Sequence, residues 1–249
     1  MQEGSLVSFP IFRSFANLLC VVSTRQGGFS QGCYTGLNLG KHTGDQLSIV
    51  RKNRDHFFGR LGLTEQQVAV GEQVHSARVR QVSRAGIYAQ TDALITQEKN
   101  LFLAVLIADC FPVFLFDPFS AVVVVIHAGW RGTQAGIIEN ALGKLKSELN
   151  IPAERIVAAI GPGLQRECFE VRKDVYGLFA PRYLSAHPEP DKKYLDLRQV
   201  IVDILLQQGV SGEKIEWSAG CTFCSAEKYY SFRREGKNSG RMMGIIGIQ

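Results

Sequence analysis

The chain has five histidines and six cysteines in 249 residues. Three of them, His75, Cys110 and His127, lie at or beside the ends of short apolar runs, next to Gly, Asp or other polar residues. Imidazole nitrogen and thiolate sulfur are good zinc ligands, at about 2.0–2.1 Å and about 2.3 Å, and three protein ligands with a fourth position open is the arrangement of catalytic zinc. None of the three belongs to a compact C-x-x-C or H-E-x-x-H pattern, so the spacing also fits a buried thiol with hydrogen-bonded histidines. A further reading keeps the residues and omits the metal, with Cys110 as nucleophile and His127 or His75 as base. A Cys–His pair has no need of the second histidine. Cys221 and Cys224 form a C-x-x-C pair with no second pair to complete a zinc ribbon, and read as structural thiols.

Two arginines sit beside glycine-bearing loops where a small anion would collect: Arg131 in Gly129-Trp130-Arg131-Gly132-Thr133, and Arg25 ahead of Gly27-Gly28. A surface salt bridge is the competing reading for each. Asp92 and Asp109 have the chemistry to orient a histidine or to move protons, and Asp is equally a turn former.

These residues need a scaffold, and the apolar pattern supplies one. Leu101–Ala108, Val113–Phe116 and Ala121–Ile126 are too short and too β-branched or aromatic for helices and predict buried strands. Asp117-Pro118 predicts a hairpin turn between the last two. Cys110 and His127 then each follow a strand. Further strands are expected at Leu18–Ser23, Val68–Gly71, Arg78–Val82, Ile156–Ile160, Ile215–Ser218 and Met243–Ile248. Helical spacing predicts helices from Asp45 to about Leu61, from Thr133 as N-cap through Leu149, and over Asp196–Gln208 up to Gly209. The sum is a mixed α/β (α+β) chain, a multilayer sandwich with mixed β-sheet, read as one domain over 1–249.

Hydrophobic residues at 45% and charged residues at 20% are ordinary for a folded protein and argue against a disordered or fibrous chain. The net charge of +5 is scattered, with no block of like charges, so no nucleic-acid partner is expected. The first fifteen residues do not read as a secretory signal, and no apolar run approaches the roughly 20 residues that span a bilayer. A cytoplasmic protein without membrane contact is expected. The sparse cysteines argue for thiols or metal ligation over a disulfide framework.

Several stretches occur in a recognisable order: Thr24-Arg25 with Gly27-Gly28, Leu37-Asn38-Leu39-Gly40, Gln73-Val74-His75, Thr91-Asp92-Ala93-Leu94, Ala108-Asp109-Cys110-Phe111-Pro112-Val113 and His127-Ala128-Gly129-Trp130-Arg131-Gly132-Thr133. Gly161-Pro162-Gly163, Thr222-Phe223-Cys224 and Ser231-Phe232-Arg233-Arg234 follow. Together they resemble the YfiH/YlmD-like family of laccase-domain (FAMIN-like) proteins, once described as multicopper polyphenol oxidases. The resemblance spans nearly the whole chain and implies a YfiH-like fold and a Zn2+ centre on His75, Cys110 and His127, which are also the catalytic residues. It implies phosphorolysis of adenosine, inosine, guanosine and methylthioadenosine, with adenosine deamination as a related activity. Purine nucleosides and phosphate would be the partners, with Arg25, Asn38, Asp92 and Arg131 as the residues holding them. A multicopper oxidase needs many histidines around a trinuclear cluster, and five histidines without a His-x-His pair cannot supply it. A Cys–His amidase acting on peptidoglycan precursors and a non-enzymatic binding protein remain as alternative functions.

Overall fold

The computed structural model describes residues 6–249, so the first five residues of the expected 1–249 domain lie outside it. The chain runs through β1 (Leu6–Ser8), β2 (Leu18–Ser23), α1 (Leu47–Arg60), β3 (Val68–Gly71), β4 (Val79–Gln81), β5 (Gly86–Tyr88), β6 (Ala93–Thr96) and β7 (Phe102–Ile107). Next come β8 (Phe111–Asp117), β9 (Val122–Ala128), α2 (Trp130–Gln134), α3 (Ile137–Leu149), β10 (Val157–Ile160), β11 (Glu170–Arg172) and α4 (Lys173–Tyr176). It closes with β12 (Leu184–Ala186), β13 (Lys192–Leu195), α5 (Leu197–Gln207), β14 (Ile215–Trp217), α6 (Phe232–Glu235) and β15 (Met242–Ile248).

Two six-stranded mixed sheets carry the core, one in the order β1-β2-β15-β7-β3-β5 and the other β14-β10-β8-β9-β6-β4. The apolar runs of β8 and β9 are unbroken because both faces of their sheet are covered. Phe114, Phe116, Val123 and Val125 pack against the first sheet, where they meet Leu103 and Val105 of β7. The alternate residues Val113, Leu115, Val124 and Ile126 pack instead against Ile138, Leu142 and Leu145 of α3 and Val200 and Ile201 of α5. On the far side of the first sheet, Phe57 and Phe58 of α1 cover Val21, Ala104 and Ile245. The result is a helix–sheet–sheet–helix sandwich, in accord with the mixed architecture expected from sequence. A third, small antiparallel sheet, β11-β13-β12, was not anticipated. Among the described residues no helix is long and apolar enough to cross a membrane.

Two expectations are corrected. His127 does not follow its strand but lies within β9, one residue from its end. Thr133 caps no helix: it sits inside α2, which stops at a left-handed Gly136 with φ 87°, and α3 begins afresh at Ile137. The break separates α2 from α3, and because α2 starts two residues after β9, Gly129-Trp130-Arg131 stands at the sheet end where His127 emerges.

Candidate functional site

The β8–β9 hairpin sets two of the candidate ligands, Cys110 and His127, side by side. Its antiparallel register pairs Phe111 with Ala128 and Pro112 with His127, so Cys110, immediately before β8, meets the end of β9. On the other flank β6 pairs antiparallel with β9, Ala93 opposite Ile126, and the His127 amide donates to the Asp92 carbonyl at 2.8 Å. Asp92 and Cys110 thus bracket His127 from the two neighbouring strands. His75 comes from the first sheet, on the loop between β3 and β4, where its backbone is left-handed at φ 60°. The ligand atoms of His75, Cys110 and His127 all lie within 4.8 Å of one another, and the His75 and His127 rings meet edge-on at 4.8 Å.

What holds His75 in that uncommon conformation is Asp92. Its buried carboxylate accepts from the amides of Val74, His75 and Ser76 at 3.2, 3.0 and 2.8 Å and from the Ser76 hydroxyl at 2.8 Å. It also meets His127 Nδ1 at 2.9 Å. Burial alone would raise the Asp92 pKa, but the hydrogen bonds from His127 and Ser76 outweigh it and hold the carboxyl down at about 2. As a carboxylate it can only accept, so Nδ1 of His127 carries the proton and Nε2 is directed toward Cys110.

Enclosure by the protein would push the Cys110 thiol up, yet the attraction of His127 and hydrogen bonds from His127 and His75 bring it down to about 6. The reciprocal forces act on His127: burial lowers it, while the Cys110 sulfur and Asp92 lift it to about 9. A thiolate beside a protonated imidazole is what a metal-free Cys–His pair adopts, and the same thiolate is what a divalent cation requires. The donor set of two imidazoles and a thiolate, with one histidine anchored through Nδ1 to a carboxylate, fits a zinc or similar borderline cation. Gly129 adds the room: a Cβ there would stand 2.8 Å from Cys110 Sγ and 3.0 Å from the His75 ring.

The triad opens into a cavity of about 610 Å³, the size of small-molecule sites. Val70, Ile87, Leu106, Phe169 and Phe232 give it apolar walls, while Lys41, Arg131, Arg233 and Arg241 bring cations to it. Arg131 stacks over Trp130 at 4.3 Å and has no ion pair among the described residues, which leaves its guanidinium for a ligand.

Three of the residues expected at the substrate, Arg25, Asn38 and Asp92, lie outside the cavity lining. Arg25 pairs with Glu235 at 2.9 Å, donates to the Ala226 and Thr35 carbonyls and stacks on Tyr230, so it fastens two loops together. Asn38 is buried and bridges Thr43, Asp45, Gly40 and the Arg241 amide, shaping the lining without joining it. Asp92 likewise acts through the histidines. Asp109, read as a histidine orienter or proton carrier, reaches neither histidine; its carboxylate accepts from Thr222 Oγ1 and the Arg233 amide. His42 lines the cavity, as do Arg233 and Arg241. The Ser231-Phe232-Arg233-Arg234 motif carried the signal for Arg233; nothing local marks His42 or Arg241.

Comparison with known proteins agrees with this architecture. The family described as "Multi-copper polyphenol oxidoreductase laccase" matches residues 19–249. A protein of Bacteroides thetaiotaomicron named purine nucleoside phosphorylase is 30% identical, over 99% of this chain and 97% of its own. Adenosine deaminase RL5, from an unknown prokaryotic organism, is 31% identical over 88% of this chain and 89% of its own. The crystal structure of YlmD from Geobacillus stearothermophilus superposes with a TM-score of 0.93 at 29% identity, covering 100% of this chain and 98% of that one.

Proposed function

Since the chain belongs to the family described as multi-copper polyphenol oxidoreductase laccase, which includes the YfiH and YlmD proteins, we propose that it is a zinc-dependent purine nucleoside phosphorylase with adenosine deaminase activity. The observation that carries this reading is the His75–Cys110–His127 cluster opening into a cavity lined by apolar and cationic side chains. The names of its relatives point the same way. Despite the family's description, copper oxidase chemistry is disfavoured by the ligands: only one cluster among the described residues contains two histidines, against the many that a trinuclear copper centre takes.

In phosphorolysis a phosphate oxygen forms a bond to ribose C1′ as the bond from C1′ to the purine nitrogen breaks, and the electron pair leaves with the base, which is then protonated. Phosphate would be held by Arg131 with Arg233 and Arg241, as charge-assisted donors, and the purine by the apolar wall around Phe169 and Phe232. In deamination water adds at C6 and ammonia departs. Zinc on the three ligands would supply Lewis-acid polarisation of a substrate oxygen or a bound water of lowered pKa. Asp92 keeps His127 in the tautomer that presents Nε2, and Gly129 keeps the space in front of Cys110 clear.

The test is incubation of the purified chain with adenosine, inosine, guanosine and methylthioadenosine, with and without phosphate, read by chromatography. Free base and ribose 1-phosphate should form only with phosphate present, and inosine should form from adenosine without it. Base release indifferent to phosphate would indicate a hydrolase. No change in any nucleoside would return Cys110 and His127 to the Cys–His hydrolase reading.

A further inference from the structure

Away from the cavity, three more sulfurs converge from two loops. Cys168 ends the turn Arg166–Cys168, ahead of β11, and Cys221 and Cys224 lie on the loop that follows β14. Their sulfurs all lie within 4.8 Å of one another, with Cys168 and Cys224 3.1 Å apart. All three are free thiols, Cys168 and Cys221 partly exposed and Cys224 exposed. The C-x-x-C pair that lacked a partner in sequence therefore finds its third sulfur 56 residues upstream of Cys224.

The two loops are fastened to each other around this point. The Gly163 amide donates to the Gly220 carbonyl at 3.3 Å and the Thr222 amide to the Gly163 carbonyl at 3.1 Å, while the Gln165 side-chain amide reaches the Gly220 carbonyl at 3.3 Å. A soft or borderline cation binds thiolate sulfur. A tetrahedral cation at about 2.3 Å from each sulfur separates them by about 3.8 Å, which small adjustments of these side chains provide. A disulfide between Cys168 and Cys224 would use two sulfurs and leave Cys221 over.

We propose that Cys168, Cys221 and Cys224 form a second metal site, for a thiophilic divalent cation, Zn2+ being the fitting one, with a water in the fourth position. On binding, three sulfur–metal bonds form and the three thiol protons leave to solvent. The cation would lock together the two loops whose neighbouring residues, Leu164, Phe169, Phe232 and Arg233, line the cavity. This site is independent of the nucleoside reading.

Cobalt(II) titration of the reduced, metal-stripped Cys110→Ser chain tests it, because that substitution removes the thiolate of the other cluster. The expected result is a sulfur-to-cobalt charge-transfer band in the near ultraviolet with the visible bands of tetrahedral cobalt, bleached by added zinc. Adding Cys224→Ser should abolish the band while the circular dichroism of the chain is retained. In the unsubstituted chain, zinc should protect all three cysteines from iodoacetamide, as read by peptide mass mapping. Cobalt that gives no thiolate band in Cys110→Ser, or unchanged alkylation of the three cysteines at saturating zinc, overturns the proposal.

Discussion

Asp92 governs both histidines at once, so its replacement should act on the site more than on the fold. In Asp92→Asn the uncharged amide no longer stabilises the Nδ1–H tautomer of His127 and offers one oxygen to donors that now share two. Loss of such a partner typically costs about 10–100-fold in metal affinity or activity; metal content and turnover measured together, with circular dichroism as control, check this. Cys110 makes a pH prediction. Its thiol is held near 6, below the ordinary 9.0, so in the metal-stripped chain it stays a thiolate at neutral pH and takes up a proton as pH falls through about 6. Iodoacetamide labelling of Cys110 should therefore drop with a midpoint near that value. In His127→Ala the midpoint should move upward, and added zinc should block labelling of the unsubstituted chain throughout. At this scale the sequence revealed much of the cluster, because Cys110, His127 and Asp92 stand at the margins of apolar runs, where side chains leave a sheet. It could not reveal that Arg25 is neutralised by Glu235, 210 positions away, or that Asn38 turns inward; a residue's type shows what it can bind, while its partner is set by the tertiary fold.

The elements explain why the cluster forms with so little local motif. A hairpin brings Cys110 across from His127 by register alone, the neighbouring strand adds Asp92, and a loop of the other sheet adds His75. Gly129 is the narrow point of that assembly. Its backbone, φ −85° and ψ 165°, suits alanine, so Gly129→Ala should fold; the added methyl, however, meets Cys110 Sγ and His75. Overpacking of this kind costs about 1–3 kcal/mol, which for a chain of this size lowers Tm by about 2–12 °C, and here the groups that must shift are Cys110 and His75, so metal affinity and turnover should fall as well. Gly143, exposed in α3 with nothing within 4 Å of a built Cβ, is the contrasting site: Gly143→Ala should stabilise by about 0.5–1 kcal/mol without touching activity, as a denaturant titration would show. The buried strands β7, β8 and β9 were legible because apolar faces on both sides leave unbroken runs. Strands β5, β11, β12 and β13 were not, since each has three or four residues and at most one buried position. The end of α2 hid inside a helical periodicity that Gly136 interrupts without disturbing the apolar spacing of α3.

Across the whole molecule, the cavity exists because segments distant in sequence are tied at one residue beside Cys110. Asp109, with φ 94°, accepts from Thr222 Oγ1 at 2.7 Å and from the Arg233 amide at 2.6 Å, and its carbonyl accepts from Leu164 at 2.8 Å. One residue thus joins the start of β8 to three segments: its carboxylate holds Thr222 and the Arg233 segment, and its backbone carbonyl holds the turn after β10. Removing the carboxylate should cost stability and site geometry together. In Asp109→Ala two hydrogen bonds to a charged acceptor disappear, each worth about 1.5–3 kcal/mol, and alanine must also adopt the left-handed backbone at about 1–2 kcal/mol. With partial exposure and relaxation the net loss should be about 3 kcal/mol, which for a chain of this size lowers Tm by about 6–12 °C. Asp109→Asn tolerates the left-handed conformation and keeps an acceptor for one donor, so its Tm should fall by about half as much. Turnover should fall in the same order, alanine below asparagine, because Thr222 and Arg233 lose their common anchor. Thermal unfolding and initial rates for the two variants decide the matter: an Asp109→Ala chain with unchanged Tm would mean that these segments are held by their other contacts, and that the cavity is not assembled around this carboxylate.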